Sequence, residues 1–211
     1  VNLKMNVNYS LYLVTDRDIL KGKDLFKSIE DAIIGGVTIV QIREKNISSL
    51  EFYNIAKKAK MVTDKYNIPL IINDRIDIAI AVDASGVHLG QQDLPAIVAR
   101  NLIGKNKILG ISVSNLELAL KAEKDTADYI GVGAVFNTNT KKNTNKVSLD
   151  VLKQIKSCVN IPVVAIGGIN ETNIKSIQKT NVDGIAVVSA ILGKDDIKNA
   201  SKNISTIINR R

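Results

Sequence analysis

Eight short apolar runs recur along the chain, and their spacing constrains the fold more than any other feature. They are Leu11 to Val14, Thr38 to Val40, Leu70 to Ile72, Val87 to Leu89, Ile108 to Ile111, Tyr129 to Val132, Val163 to Ile166 and Gly184 to Val188. Each is rich in β-branched residues and continuous, which is the pattern of parallel strands covered on both faces. Successive runs start 17 to 34 residues apart, room for one crossover helix each. Helical spacing fills the gaps: Leu25, Ile29, Ala32 and Ile33 follow the N-cap candidate Asp24, and Ile197, Ala200, Ile204, Ile207 and Ile208 mark a last helix. Ser48 with Glu51 makes a capping box before a helix running to about Tyr66.

Eight β/α units in 211 residues sit near the lower end of the usual range of about 200 to 400 for a closed (β/α)8 TIM barrel. The expected fold class is therefore α/β, with residues 1–211 as a single barrel domain. An open doubly wound sheet would normally carry a glycine-rich turn after its first strand, and here that position reads Val14-Thr15-Asp16-Arg17-Asp18.

Composition removes several function classes. One cysteine, Cys158, and one histidine, His88, make neither an internal disulfide nor a Cys/His zinc site within one chain. No apolar run approaches the ~20 residues of a membrane span, and Val1 to Ser10 has no signal-peptide core, so the expectation is a soluble cytoplasmic protein. A surplus of 29 basic over 21 acidic residues gives a net charge of +8. That charge is spread, mostly as lysine, and aromatics are only 4%, so it reads as a basic surface rather than a nucleic-acid or membrane partner.

In a barrel, polar residues at the ends of strands mark the working face. After the second run, Gln41, Arg43 and, if the strand continues, Lys45 share one face, suited to an anionic ligand; an internal ion pair with Glu44 or an acid on the next strand is the other reading. Asn73-Asp74 and Gln92-Asp93 end the third and fourth runs. Two acids on adjacent strands suit Mg²⁺, which keeps several waters and is shared with substrate phosphates, although Asp at such positions also serves as a helix N-cap. His88 lies within an apolar strand and reads as a hydrogen-bonded structural residue, and Ser112 as an isolated hydroxyl that donates rather than attacks. Gly131 to Lys142 offers glycines, Thr138, Thr140 and Lys141, or is only a solvated loop. Ala165-Ile166-Gly167-Gly168-Ile169 and Val187-Val188-Ser189-Ala190 occupy the usual barrel phosphate position; a plain turn is the other reading of each.

Taken in order, Gln41-Ile42-Arg43-Glu44-Lys45, Asn73-Asp74-Arg75, Gly86-Val87-His88-Leu89-Gly90-Gln91-Gln92-Asp93, Gly110-Ile111-Ser112, Thr138-Asn139-Thr140-Lys141 and Ile166-Gly167-Gly168-Ile169 resemble the thiamine phosphate synthase (thiamine-phosphate pyrophosphorylase) family. The resemblance runs over nearly the whole chain. It implies a transferase that condenses 4-amino-2-methyl-5-(diphosphooxymethyl)pyrimidine with thiazole phosphate, using Mg²⁺ and passing through a pyrimidine carbocation after diphosphate departs. By matching positions, it implies that Gln41, Arg43, Lys45, Asn73, Ser112 and Lys141 hold the pyrimidine diphosphate, with Arg43, Lys45, Ser112 and Lys141 in catalytic roles. It places Asp74 and Asp93 on the metal, and Thr138, Thr140, Gly168, Val188 and Ser189 on the thiazole phosphate. Asn137 stands where the family commonly has proline, which implies a loop less fixed before binding.

Two alternatives compete. A thiazole tautomerase of the same barrel family would use the phosphate position but has no need of Asp74, Asp93 or the cations. A non-catalytic phosphate-ligand or RNA-binding barrel rests on the +8 charge alone. Partners are thus expected to be small molecules, with no nucleic acid and no membrane, and oligomeric state is left open.

Overall fold

The computed structural model describes residues 7–137 and 146–209. Its strands are β1 (Leu11–Val14), β2 (Ile39–Ile42), β3 (Leu70–Asn73), β4 (Gly86–Leu89), β5 (Ile108–Val113), β6 (Tyr129–Val132), β7 (Val163–Ile166) and β8 (Gly184–Val187). Each pairs in parallel with the next, and β8 pairs with β1, so the sheet is a closed barrel in chain order. The eight apolar runs and the eight strands coincide, with small differences at the ends of β2 to β5 and β8.

The helices are α1 (Arg17–Leu20), α2 (Leu25–Ile34), α3 (Ser49–Lys65), α4 (Ile76–Ala81), α5 (Ala96–Ile103), α6 (Leu116–Lys124), α7 (Leu149–Cys158), α8 (Ile174–Gln178), α9 (Ser189–Leu192) and α10 (Ile197–Asn209). The short α1 and α9 are additions to the expected one helix per strand, and both follow strands at the closure of the barrel. Asp24 caps α2 by accepting from Lys27 N at 2.7 Å, and Ser48 caps α3 by accepting from Glu51 N at 3.1 Å. The Ser48 box is only half made, because the Glu51 carboxylate turns outward to Arg17 at 3.2 Å. Among the described residues no helix is long and apolar enough to cross a membrane.

Alternation along the strands divides the core in two. Leu11, Leu13, Val40, Ile42, Leu70 and Ile72 point outward and pack with helix residues such as Ile29, Ala56, Leu152 and Ile204. Tyr12, Val14, Ile39, Ile71, Tyr129, Val164 and Ala186 point inward and fill the barrel. Each fully buried aliphatic side chain contributes about 1.5–3 kcal/mol, and nearly every strand residue is buried.

One device repeats around the lower rim. Thr38, Ser85, Asp128 and Asp183 immediately precede β2, β4, β6 and β8, and each side chain accepts a backbone N–H from the preceding strand. The bonds run from Leu11 N to Thr38 Oγ1 at 3.2 Å, Leu70 N to Ser85 Oγ at 3.1 Å, Leu109 N to Asp128 Oδ2 at 2.9 Å and Val163 N to Asp183 Oδ2 at 2.7 Å. Amides at the strand starts, which the ladder itself does not serve, are satisfied by these side chains.

Candidate active site

At the opposite end of the barrel the inward residues change from aliphatic to polar and line a cavity. Its floor carries Gln41, 4% exposed, Asn73 and His88, both 8% exposed, with Tyr12 and Tyr129. Buried polar groups need partners, and here they find one another. Gln41 Nε2 donates to the Tyr12 hydroxyl at 2.7 Å, the Tyr12 and Tyr129 hydroxyls are 2.7 Å apart, and His88 Nδ1 lies 2.8 Å from the Tyr129 hydroxyl. His88 Nε2 is 2.8 Å from Ser112 Oγ.

β2 ends at Ile42, yet Arg43 still reaches the cavity. Its backbone N–H donates to Thr15 Oγ1 at 3.1 Å, and its guanidinium faces Asp16 at 3.4 Å. That long ion pair leaves the guanidinium able to meet a second anion. Glu44 is not its partner: Glu44 accepts from Arg17 at 2.8 Å, and burial pushes its carboxyl up.

Asp74 and Asp93 stand at the rim. Asp74 has φ of 61°, a left-handed conformation that Asp tolerates better than most residues, and its N–H donates to His88 O at 2.9 Å. Asp93 Oδ2 accepts from Gly90 N at 2.6 Å. The two carboxyls are hydrogen-bonding neighbours, and Asp74 is pushed up to about 6, first by burial and then by the charge of Asp93. Neither acid is an N-cap, since α4 and α5 begin after Arg75 and Pro95. Two crowded carboxylates and no nitrogen or sulfur donor fit a hard cation. Among the described residues no cluster of three His, Cys, Asp or Glu could hold a metal.

Across the cavity, the β7 and β8 loops supply backbone and small side chains. Gly167 and Gly168 have φ of 103° and 64°, and a Cβ at Gly168 would lie 2.4 Å from Asn137 O. Asn173 Nδ2 donates to Gly168 O at 2.9 Å, and Phe136 N donates to Gly167 O at 3.0 Å, which fixes the turn. Val188 and Ser189, where α9 begins, complete this wall.

Of the residues singled out from the sequence, Gln41, Arg43, Asn73, Ser112, Gly168, Val188 and Ser189 line one cavity, with Asp74 and Asp93 paired at its rim. Lys45 departs from expectation: the strand stops at Ile42, and Lys45 is exposed and does not line the cavity. Thr138, Thr140 and Lys141 lie outside the described residues. Ser112 is not isolated, because His88 is its partner, and the reading of His88 as a hydrogen-bonded residue agrees with its contacts to Tyr129 and Ser112. Tyr12 and Tyr129 were missed; the period-two signal that places Tyr12 on the face of Val14 was available for the first of them.

Fold and cavity together define a (β/α)8-barrel enzyme whose site brings the Arg43 guanidinium, a pair of acids and two glycine- and serine-bearing loops to the C-terminal mouth. Comparison with known proteins narrows this. A family model described as thiamine monophosphate synthase matches residues 11–191. The chain is 61% identical over 204 residues to the thiamine-phosphate synthase of Clostridium tetani, covering 97% of this chain and 98% of that one. It is 61% identical over 202 residues to that of Alkaliphilus oremlandii, covering 96% and 97%. Among solved structures, the thiamine phosphate pyrophosphorylase from Pyrococcus furiosus superposes with a TM-score of 0.87 at 43% identity, covering 95% of this chain and 96% of that one. The chain belongs to the thiamine monophosphate synthase family.

Proposed function

We propose that the described barrel works as one domain and joins 4-amino-2-methyl-5-(diphosphooxymethyl)pyrimidine to thiazole phosphate, giving thiamine phosphate and diphosphate. The observation that carries this reading is the two-sided cavity. Gln41, Arg43, Asn73 and Ser112 lie on the β2 to β5 side, and Gly168, Val188 and Ser189 on the β7 to β8 side, which suits two anionic substrates held face to face. The C–O bond between the pyrimidine methylene and the diphosphate breaks with both electrons leaving on oxygen. The thiazole nitrogen then supplies the pair for the new C–N bond.

Negative charge builds on the departing diphosphate, so the residues needed are preorganised cations and donors rather than a strong base. Among the described residues Arg43 is the cation that lines the cavity, and Ser112 supplies a hydroxyl. Lys45 and Lys141 are assigned to the same diphosphate, Lys45 by movement of its exposed side chain on binding. Asp74 and Asp93 would hold Mg²⁺, which when bound neutralises diphosphate oxygens. The thiazole phosphate is assigned to the turn at Gly168 with Val188 and Ser189, and to Thr138 and Thr140.

The tautomerase alternative leaves the Asp74–Asp93 pair and Arg43 without work, and the RNA-binding alternative rests on the +8 charge alone. We therefore assign small-molecule partners and a cytoplasmic setting, with neither nucleic acid nor membrane. Incubation with both substrates and Mg²⁺ is expected to release diphosphate and thiamine phosphate in equal amounts, and chelation is expected to stop it. Absence of both products with folded protein overturns the assignment.

A further inference from the structure

Five polar side chains form a continuous line through the barrel, from β2 through β1, β6 and β4 to β5. Their order is Gln41, Tyr12, Tyr129, His88 and Ser112. We propose that this line is a one-way chain of donors, which holds His88 as its Nε2–H tautomer and makes the Ser112 hydroxyl a donor into the cavity.

The direction follows from proton counting once each hydroxyl gives its single proton to the next member of the line. Gln41 Nε2 carries only donors, so the Tyr12 oxygen accepts from it at 2.7 Å. Tyr12 then gives its own proton to the Tyr129 oxygen, 2.7 Å away, and Tyr129 gives its proton to His88 Nδ1 at 2.8 Å. A ring nitrogen that accepts is bare, which leaves the proton on Nε2. Nε2–H therefore donates to Ser112 Oγ at 2.8 Å, and the serine proton turns to the cavity that Ser112 lines. Burial pushes the Tyr12 and Tyr129 phenols well up, so both stay protonated donors.

Backbone space is given up to build this line. A Cβ on Gly110 would lie 2.2 Å from Tyr129 Cζ and 2.4 Å from its hydroxyl, so the ring occupies the place of the side chain that β5 lacks there. The Tyr9 ring packs against Tyr129 at 4.8 Å between centroids, and the Tyr129 hydroxyl meets His88. Tyr12, Tyr129 and His88 are thus positioning residues that act through Ser112. The proposed function enters only in naming what receives the serine proton, an acceptor atom of the pyrimidine diphosphate. Chains of this kind polarise in one sense and strengthen the terminal donor.

His88 is the only histidine in the chain, so ¹⁵N-histidine labelling reports on this imidazole alone. Long-range ¹H–¹⁵N spectra of the ligand-free protein are expected to show Nε2 protonated and Nδ1 bare. A proton on Nδ1 overturns the proposal, because His88 would then donate to the Tyr129 hydroxyl and the line would no longer run towards Ser112. Tyr129→Phe is expected to lose the single tautomer and to lower kcat about tenfold, the size of one hydrogen bond, with KM for thiazole phosphate unchanged. Tyr12→Phe keeps the Tyr129 to His88 bond and is expected to keep the tautomer. Unchanged kcat in folded Tyr129→Phe overturns the positioning role, and if that variant does not fold, the wild-type spectrum decides the direction alone. Wild-type protein that shows the Nε2–H form yet makes no thiamine phosphate overturns the proposed function and leaves the donor chain standing.

Discussion

The two ends of the barrel use the same residue types in opposite ways. At the lower rim, Asp128 and Asp183 each accept a strand amide and each meet a cation, Arg100 at 2.6 Å and Lys156 at 2.7 Å. At the upper mouth, Asp74 meets another acid, and Arg43 stands 3.4 Å from Asp16. Lower-rim polar groups are settled within the chain, whereas those of the mouth leave charge to be completed by something else. A barrel divides its polar residues in this way because strand starts must be closed for stability and strand ends must be open for chemistry.

The comparison can be broken from either side. Arg43→Ala is expected to lower kcat/KM by at least about a hundredfold, since a cation facing developing charge is worth that much, while the urea midpoint stays near wild type. Equal loss of stability would place Arg43 with the settled groups. Asp128→Ala is expected to reverse the pattern: about 2–3 kcal/mol of stability lost, from the Leu109 amide and the Arg100 pair together, with kcat per folded molecule unchanged. Ser85→Ala removes a neutral acceptor from the same rim and is expected to cost about 1 kcal/mol, again without kinetic effect. Urea unfolding and steady-state assay of each variant read both quantities.

How much of this was legible beforehand depended on range. β1, β6 and β7 match their apolar runs residue for residue, because a buried parallel strand writes its length directly in the sequence. Alternation named Gln41, Arg43 and Lys45 together, and in the structure it holds for Gln41 and Arg43, one residue past the strand. It does not reach Lys45, because the Arg43 amide turns to Thr15 rather than continuing the ladder, and that hydroxyl belongs to another strand's loop. The two acids could be paired once barrel order placed β3 beside β4. The contact of Tyr12 with Tyr129 spans 117 residues and depends on the tilt of strands across the barrel, on which a local pattern carries no information.

The smallest expected effect tests the acid pair where catalysis plays no part. In the folded, metal-free protein Asp74 is raised from 3.8 to about 6, whereas in the unfolded chain it keeps its ordinary value. Between these values the folded state binds more protons than the unfolded one, so stability falls as pH rises through that window and stays lower above it. Asp93→Asn removes the repelling charge, and its side-chain oxygen still accepts from Gly90 N in the place of Oδ2. This variant is expected to flatten the fall between pH 4 and 6 and to be more stable than metal-free wild type at pH 7.5, by less than about 1 kcal/mol, because Asp74 is solvent-screened. Added Mg²⁺ is expected to raise the melting temperature of wild type and not of Asp93→Asn. A variant less stable than wild type at high pH would show that Asp93 is settled like Asp128, and the contrast between mouth and rim would fail at this pair.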